Sequence, residues 1–332
     1  MTANYMNKTI IDSFGRQHSY LRISLTDRCN LRCFYCMPED GVKLIDKPNI
    51  MTTKEIVAIS KTFIDMGVDT IRLTGGEPLI RKDFDDLVRE LASLGICLKL
   101  TTNGILLDRY FKLLKEVGLN NVNISLDSLD KARSVFINKR DYYDKIMANI
   151  QKAIDLNLNI KLNIVLIKGV NDSEIPEFIG LTRNKNITVK FIEFMPFKGN
   201  HWDWNKGVSR DYILHEVESR FGTIIPLPNP KNSTSLNYKV YGHMGSFGII
   251  STITHPFCSE CNRIRLTADG KMKYCLFANA ETDLLTPYRK GISIDGIIRE
   301  AIQYKKFSRD GMVEKMEPDQ YEQNRSMNSI GG

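Results

Sequence analysis

The chain has 332 residues, of which 42% are hydrophobic, a size that fits one large domain with an extension, or two domains. Its formal charge of +7 is spread along the chain without a dense basic run, so we expect no nucleic-acid partner, although the excess suits a small anionic substrate. Residues 1–17 are polar where a signal peptide would be apolar, and no run of about 18 apolar residues occurs, so we predict a cytoplasmic protein without a membrane span.

Six short apolar segments alternate with helical patterns in the first part of the chain. The segments are predicted strands, and they span residues 21–26, 70–75, 97–102, 122–127, 159–167 and 189–194. Three of the helical stretches end at a glycine just before the next strand, at Gly67, Gly95 and Gly118. Strands separated by single helices imply parallel pairing. Six units favour an α/β fold with a partial (β/α)6 TIM-like barrel, and a doubly wound open sheet is the alternative.

The pattern changes after residue 195. A loop over residues 196–207 and a proline- and asparagine-rich turn region over 226–237 are followed by short strand-like pieces. We infer a barrel over residues 1–195 and a C-terminal extension over 196–332 that packs across the open barrel and closes its mouth.

Six of the seven cysteines form two groups of three, which we call the first trio (Cys29, Cys33 and Cys36) and the second trio (Cys258, Cys261 and Cys275). Clustered cysteines in a chain with no predicted leader favour a metal over disulfides. The seventh, Cys97, lies in an apolar alternating stretch, and we predict that it is a small buried residue.

The first trio has the spacing CxxxCxxC in a loop after a predicted strand. Zinc usually takes four protein ligands, and no fourth Cys or His lies nearby, so the spacing favours an iron–sulfur cluster over zinc. A [4Fe–4S] cluster on three thiolates leaves one iron free to bind a ligand. For the second trio both interpretations stay open, because His255, three residues before Cys258, could complete a zinc site.

Several cations occupy positions that suit an anionic ligand. Arg263 and Arg265 lie two apart in a strand-like stretch, so they face the same way and could clamp a phosphate, although such a pair is more often a surface feature. Arg22, Arg72 and Lys161 lie in apolar strands, where a charge is costly unless it is paired or faces a cavity. The patterns GxxxxGK[ST] and GxGxxG do not occur, so side chains must hold any nucleotide.

The CxxxCxxC loop, with Tyr35 before its last cysteine, is followed one β/α unit later by the segment GGEP, residues 75–78. Together these motifs resemble the signature of the radical S-adenosylmethionine (SAM) superfamily. The resemblance implies that the free iron of the first cluster binds SAM and that cleavage of SAM yields a 5′-deoxyadenosyl radical. It also implies that the GGEP segment binds the SAM amino group. Its glycines permit close backbone approach, and Glu77 offers an acceptor for an ammonium.

The two trios, the Arg-x-Arg pair and the terminal residues Gly331 and Gly332 together resemble the MoaA-type GTP 3′,8-cyclase family of molybdenum cofactor biosynthesis. The resemblance covers nearly the whole chain. It implies two [4Fe–4S] clusters, SAM as cofactor and GTP as substrate. The implied reaction, that of a lyase, joins ribose carbon 3′ to guanine carbon 8 and gives 3′,8-cyclo-7,8-dihydro-GTP. An electron donor protein and a downstream cyclic pyranopterin monophosphate synthase are the implied partners of a monomer or homodimer.

The same resemblance implies roles for individual residues. SAM would contact Tyr35, Gly76, Ser125 and Met195. GTP would contact Arg22, Arg72, Thr101, Lys161, Arg263, Ile264 and Arg265. Arg22, Arg263 and Arg265 would be catalytic, and the Gly331–Gly332 tail would reach into the site. The alternatives are a radical SAM maturase that modifies a peptide with an auxiliary cluster, and a non-enzymatic zinc-binding protein.

Overall fold

The computed structural model describes residues 9–37, 41–311 and 324–331. Gly332 lies outside the described residues. The prediction that the Gly331–Gly332 tail reaches into the site therefore falls partly outside them. Within these ranges, no helix is both long and apolar enough to cross a membrane.

Within the described ranges, twelve strands form a single sheet. They are β1 (Tyr20–Ser24), β2 (Thr70–Thr74), β3 (Cys97–Thr102), β4 (Asn121–Ser125), β5 (Asn159–Leu166), β6 (Thr188–Glu193), β7 (Ile224–Pro226), β8 (Leu236–Val240), β9 (Ser246–Ile250), β10 (Arg263–Leu266), β11 (Lys271–Lys273) and β12 (Thr282–Asp283). The α-helices are α1 (Thr53–Asp65), α2 (Phe84–Ser93), α3 (Phe111–Glu116), α4 (Lys131–Asn138), α5 (Tyr143–Asp155), α6 (Ile175–Gly180), α7 (Arg210–Phe221), α8 (Leu285–Arg289), α9 (Asp295–Gln303) and α10 (Met327–Ile330).

The strands β1 to β6 lie side by side in chain order and pair in parallel. A doubly wound sheet reverses its strand order near the middle, whereas a barrel continues in one direction. The predicted partial (β/α)6 barrel is therefore confirmed, and the open doubly wound alternative is wrong.

The C-terminal extension adds strands to both edges of this barrel. Strand β10 pairs in parallel with β1, and β9 pairs in parallel with β6. The remaining strands of the extension follow outward by antiparallel pairing, β11 and β12 at one edge and β8 and β7 at the other. Because the sheet runs across the predicted boundary at residue 195, the extension shares the core of the barrel. The division into two domains at that residue stays a prediction.

Alternation along the strands decides which side chains face the barrel interior. In β5, Ile160, Leu162, Ile164 and Leu166 are almost fully buried in the hydrophobic core. The residues between them, beginning with Lys161, point the other way because successive strand side chains alternate. The helices cover the outer face with apolar stripes, as in α2, where Phe84, Leu87, Val88 and Leu91 are buried.

Short-range signals set the ends of the helices. A capping box begins α1: the Thr52 side chain accepts a hydrogen bond from the Glu55 backbone, and the Glu55 side chain accepts one from the Thr52 backbone. Gly67, Gly95 and Gly118 have φ values of 92°, 70° and 69°, in the left-handed region that favours glycine after a helix. The three predicted helix ends are confirmed.

The prediction that Cys97 is buried is wrong. Cys97 is exposed, because it opens β3 at the amino end of the strand, beyond the first core residue, Leu98. The apolar alternation around it is real, but the cysteine lies on the opposite phase from Leu98 and Leu100.

Candidate active site

A cavity of about 700 Å³ runs along the inward faces of the barrel strands, and both cysteine trios line it. The first trio lies in the loop that follows the carboxyl end of β1. The second trio approaches from the other end, because Arg263, at the start of β10, pairs in parallel register with Tyr20, at the start of β1. Cys261 comes two residues before Arg263, so it lies near the amino end of β1. The first trio and the GGEP segment thus lie at the carboxyl ends of their strands, whereas the second trio lies at the amino end of β1.

The first trio lies in a loop of partly buried thiols with polar neighbours. The Leu31 N–H donates to Cys29 Sγ at 3.4 Å, and Cys33 Sγ lies 3.2 Å from Asn138 Oδ1. Burial raises the pKa of Cys29 to about 11 and that of Cys36 to about 12. A nearby cationic metal centre counters such a shift, because thiolates are the metal-binding form. Three soft sulfur donors in one partly buried loop thus fit an iron–sulfur cluster.

Glu77 does not offer its carboxylate to the cavity as we had expected. It is buried, and its oxygens accept hydrogen bonds from the Leu79 N–H at 3.0 Å, the Thr102 hydroxyl at 2.7 Å and the Asn103 N–H at 2.7 Å. Burial raises the pKa of Glu77 to about 7. Its carboxylate therefore ties the GGEP segment to the carboxyl end of β3. Asn103 continues the link, because its Nδ2 atom donates to Asn30 Oδ1 at 2.7 Å beside Cys29.

The residues that were predicted to contact SAM all line the cavity: Tyr35, Gly76, Ser125 and Met195. The Tyr35 hydroxyl donates to Asp127 Oδ2 at 2.7 Å. Gly76 lies so close to the preceding loop that a Cβ atom there would overlap the carbonyl oxygen of Arg28. The missing side chain keeps the backbone of this segment within reach of the first-trio loop.

The second trio has cationic neighbours. The Lys305 ammonium donates to Cys261 Sγ at 3.4 Å, and Arg16 Nη1 donates to the carbonyl of Cys258 at 2.7 Å. His255 is exposed, contacts Thr254 Oγ1 and does not line the cavity. In the part of the chain that the structure describes, no three His, Cys, Asp or Glu side chains converge on the position of a single metal ion.

Parallel register places the predicted cations side by side. Arg22 pairs with Arg265 on one side and with Arg72 on the other. Arg72 donates from Nε to the Tyr20 hydroxyl at 2.6 Å and from Nη1 to Thr101 Oγ1 at 3.2 Å. The expectation that Arg22, Arg72 and Lys161 face a cavity is confirmed, since all three line it.

The arginine pair of β10 is held by the extension. Arg263 Nη2 donates to the Asn232 carbonyl at 2.6 Å, whereas Arg263 Nη1 is buried without a hydrogen-bond partner among the described residues. Burial lowers the pKa of Arg265 to about 10. Ile264, between the arginines, points into the hydrophobic core and is fully buried. The prediction that it contacts the substrate can therefore apply to its backbone alone.

Four further cations of the cavity were not predicted: Lys231 and Arg309 in the extension, and Lys99 and Lys190 on β3 and β6. Of these, the two strand lysines could have been found. Each is a charged residue in an apolar strand, the same signal that singled out Lys161. The turn region over 226–237 was given no role either, and its residues 230–235 form part of the cavity wall.

The charge of the cavity is strongly one-sided. Among the described residues, nine arginines and lysines line it but only two carboxylates, Asp69 and Asp127. The cations are Arg22, Arg72, Lys99, Lys161, Lys190, Lys231, Arg263, Arg265 and Arg309. Such a surplus in a partly desolvated space favours a polyanionic ligand.

Two family models match successive parts of the chain. The model of the Radical SAM superfamily matches residues 23–182, and the model described as Molybdenum Cofactor Synthesis C matches residues 187–310. The two ranges together take in both trios.

Three curated relatives match over most of the chain. The mitochondrial GTP 3′,8-cyclase of Arabidopsis thaliana is 44% identical over 99% of this chain and 85% of its own length. The GTP 3′,8-cyclase of Peptoclostridium acidaminophilum is 43% identical over 90% of this chain and 93% of its own. Molybdenum cofactor biosynthesis protein 1 of Mus musculus is 46% identical over 91% of this chain, which spans about half (49%) of that protein.

Among solved structures, Streptococcus suis SuiB bound to S-adenosylmethionine is similar with a TM-score of 0.55. The match covers 89% of this chain and 69% of that chain at 15% identity. At this identity the likeness concerns the fold, and it agrees with the partial barrel described above.

Proposed function

Because this chain belongs to the GTP 3′,8-cyclase family of radical SAM enzymes, we propose that it converts GTP to 3′,8-cyclo-7,8-dihydro-GTP in the first step of molybdenum cofactor biosynthesis. The relatives named GTP 3′,8-cyclase cover most of their own lengths in the match. The reaction forms a carbon–carbon bond within one nucleotide, and we assign it to the lyases.

Two iron–sulfur clusters and SAM are part of this proposal. Cys29, Cys33 and Cys36 would hold the first cluster, and Cys258, Cys261 and Cys275 the second. When bound, the first cluster and SAM supply the carbon radical that starts the reaction, and the second cluster supplies an open iron site and an electron. SAM would lie against the residues that border the first trio: Tyr35, Gly76, Ser125 and Met195.

The observation that carries the choice of substrate is the set of cations between the two trios. Arg22, Arg72 and Arg265 lie in adjacent register, and Arg263 presents a buried Nη1 atom that has no partner among the described residues. A triphosphate would supply the missing acceptors and negative charge. Lys161 and Thr101 would contact the same substrate from β5 and β3.

The protein's own contribution would be binding and orientation. Fixing the triphosphate at several points leaves the nucleoside few ways to move, which favours reaction at one carbon over others. The cavity between the strands and the extension would also limit the access of water and competing hydrogen donors to a reactive intermediate. Arg22, Arg263 and Arg265 are the residues to which we give catalytic roles.

The remaining partners follow from the chemistry. An external electron donor protein must reduce the clusters, and a cyclic pyranopterin monophosphate synthase would use the product. We propose a cytoplasmic location, where free thiols stay reduced, and a monomeric or homodimeric enzyme. A peptide-modifying maturase is the weaker candidate, because the cationic cavity fits a triphosphate better than a peptide.

Anaerobic reconstitution tests the proposal. We expect a brown protein with about eight irons per chain that converts GTP in the presence of SAM and a reductant. Arg263→Ala should weaken GTP binding while SAM cleavage without product formation continues. A protein that contains zinc but no iron, or one that leaves GTP unchanged, would contradict the proposal.

A further inference from the structure

The two trios differ in the charged groups that act on their cysteines. Asp127 adds to the effect of burial in raising the pKa of Cys33 and Cys36. At the second trio, burial also acts to raise the pKa of Cys261, but Lys305 and Arg263 outweigh it and hold that pKa below its ordinary value. Cys275 of the second trio is acted on by both Lys305 and Asp310, and burial raises its pKa to about 11. The contrast between the trios thus lies in Cys261, which has cations beside it, and in Cys33 and Cys36, which have Asp127.

Lys305 is the least expected of these cations. It follows α9 in the extension, outside both sequence motifs, and its side chain is only 3% exposed. Its ammonium donates to Cys261 Sγ at 3.4 Å and to the Arg263 carbonyl at 3.1 Å. A buried ammonium is costly unless an anion compensates it, and the structure records no carboxylate ion pair for Lys305 among the described residues. The anion that fits this position is the sulfur of a metal-bound thiolate.

The surroundings of Lys305 favour this arrangement. His18 is buried beside it, and burial together with the Lys305 charge lowers the pKa of His18 to about 3, so the ring is neutral. Asp12 is already engaged by Arg16, whose Nε atom donates to it at 2.6 Å. Arg16 in turn holds the Cys258 carbonyl, so the N-terminal segment fixes one end of the second trio while Lys305 fixes another.

We propose that Lys305 is a positioning residue of the second cluster. Its ammonium donates a hydrogen bond to the Cys261 sulfur and raises the reduction potential of the second cluster above that of the first. Hydrogen bonds to sulfur and nearby positive charge stabilise the reduced, more negative form of an iron–sulfur cluster. This inference rests on the proposed function, because it requires the second trio to hold a cluster. It gives the two clusters different tasks, since electrons would collect at the second cluster, beside Lys305.

The test is a redox titration of the anaerobically reconstituted full-length enzyme, followed by electron paramagnetic resonance. Variants that replace each trio with alanines assign the two signals. We expect Lys305→Gln to lower the midpoint potential of the second cluster by at least about 59 mV. For a one-electron couple this is a tenfold decrease in the ratio of reduced to oxidised cluster at a fixed potential. Lys305→Arg, which keeps the charge, should stay near the wild-type midpoint. Lys306→Gln, at the exposed neighbouring lysine, is the matched control and should change neither midpoint.

The outcomes separate the two proposals. An unchanged second midpoint in Lys305→Gln, or an equal shift of both midpoints, overturns the role of Lys305. Loss of the second cluster from a variant whose circular dichroism and melting temperature match wild type overturns it as well, because Lys305 would then serve assembly. If the Gln variant does not fold, Lys305→Met keeps the apolar stem and replaces it in the titration. The proposed second cluster itself would instead be contradicted by a wild-type enzyme with about four irons per chain whose iron content does not fall when the second trio is replaced with alanines.

Discussion

The Arg265 guanidinium donates a hydrogen bond of 2.5 Å to the carbonyl oxygen of Gly331. The C-terminal segment that carries Gly331 also contacts the first-trio loop, because Asn328 Nδ2 donates to the Asp27 carbonyl at 2.9 Å. The segment therefore joins a predicted substrate-binding arginine to the loop that would hold the first cluster.

Gly331 leaves no room for a side chain. Its φ of 76° lies in the left-handed region, and a Cβ atom would overlap Thr74 Oγ1. We expect Gly331→Ala to displace the segment and to lower product formation by a factor on the order of 100, since small displacements in an active site have effects of this size. The melting temperature should stay close to wild type. Product formation at the wild-type rate would show that the segment does not need this position.

Arg325 anchors the same segment at its other end. It forms two hydrogen bonds of 2.9 Å with Asp269 and one of 2.6 Å with Glu281. We expect Arg325→Gln to release the segment and to reduce product formation, at a cost of about 1–3 kcal/mol in the free energy of unfolding. Activity and chemical denaturation measure the two effects.

A matched control for Arg325 is available on the surface. Arg289 binds Glu55 through two hydrogen bonds in a more exposed ion pair outside the cavity, so Arg289→Gln should leave activity unchanged and cost at most about 1 kcal/mol of stability. If both variants lose the same stability and neither loses activity, Arg325 serves the fold and not the site.

Local patterns were enough to predict the barrel but not how the extension completes it. The alternation that buries Leu162 and points Lys161 inward is visible in the sequence, because a strand has a period of two. The pairing of β10 with β1 joins residues more than 200 positions apart, and no local signal encodes such a partner. Hence the second trio was recognised as a site, while its approach from the amino end of β1 was not foreseen.

The same distinction applies to individual site residues. Lys99 and Lys190 could have been predicted, because each interrupts an apolar strand as Lys161 does. Lys305 could not, since it follows a helix in a polar stretch and reaches Cys261 only through tertiary packing. Glu77 was assigned to a ligand because its motif suggested one, whereas the fold uses its carboxylate to hold β3.

The close approach at Gly76 gives a prediction about iron. Gly76→Ala should push the GGEP segment away from Arg28, disturb the loop that carries the first trio and reduce the iron retained after reconstitution. Gly296→Ala is the control, because that glycine lies in α9 with open space around it. We expect the control to keep its iron and to gain roughly 0.5–1 kcal/mol of stability from better helix propensity. Equal iron contents in the two variants would contradict the tight fit at Gly76.

The last prediction concerns Lys190 and pH. Its ammonium donates to Ser235 Oγ at 2.8 Å, and burial, with a smaller effect of Lys161, lowers the pKa of Lys190 to about 7. Above that pH the free enzyme holds a neutral amine, and a bound triphosphate would raise the pKa again, so GTP binding should take up a proton.

The dissociation constant of GTP should therefore increase as the pH rises above about 7, by a factor that approaches ten per pH unit if Lys190 dominates. Lys190→Arg keeps its charge throughout this range, so its affinity should depend less on pH. Calorimetric titration of GTP into the enzyme without SAM or reductant measures binding without turnover. The titration of GTP itself is common to both proteins and cancels in the comparison. Identical pH profiles for the wild type and Lys190→Arg would mean that Lys190 does not meet the phosphates, and the cations of β1, β2 and β10 would then hold them alone.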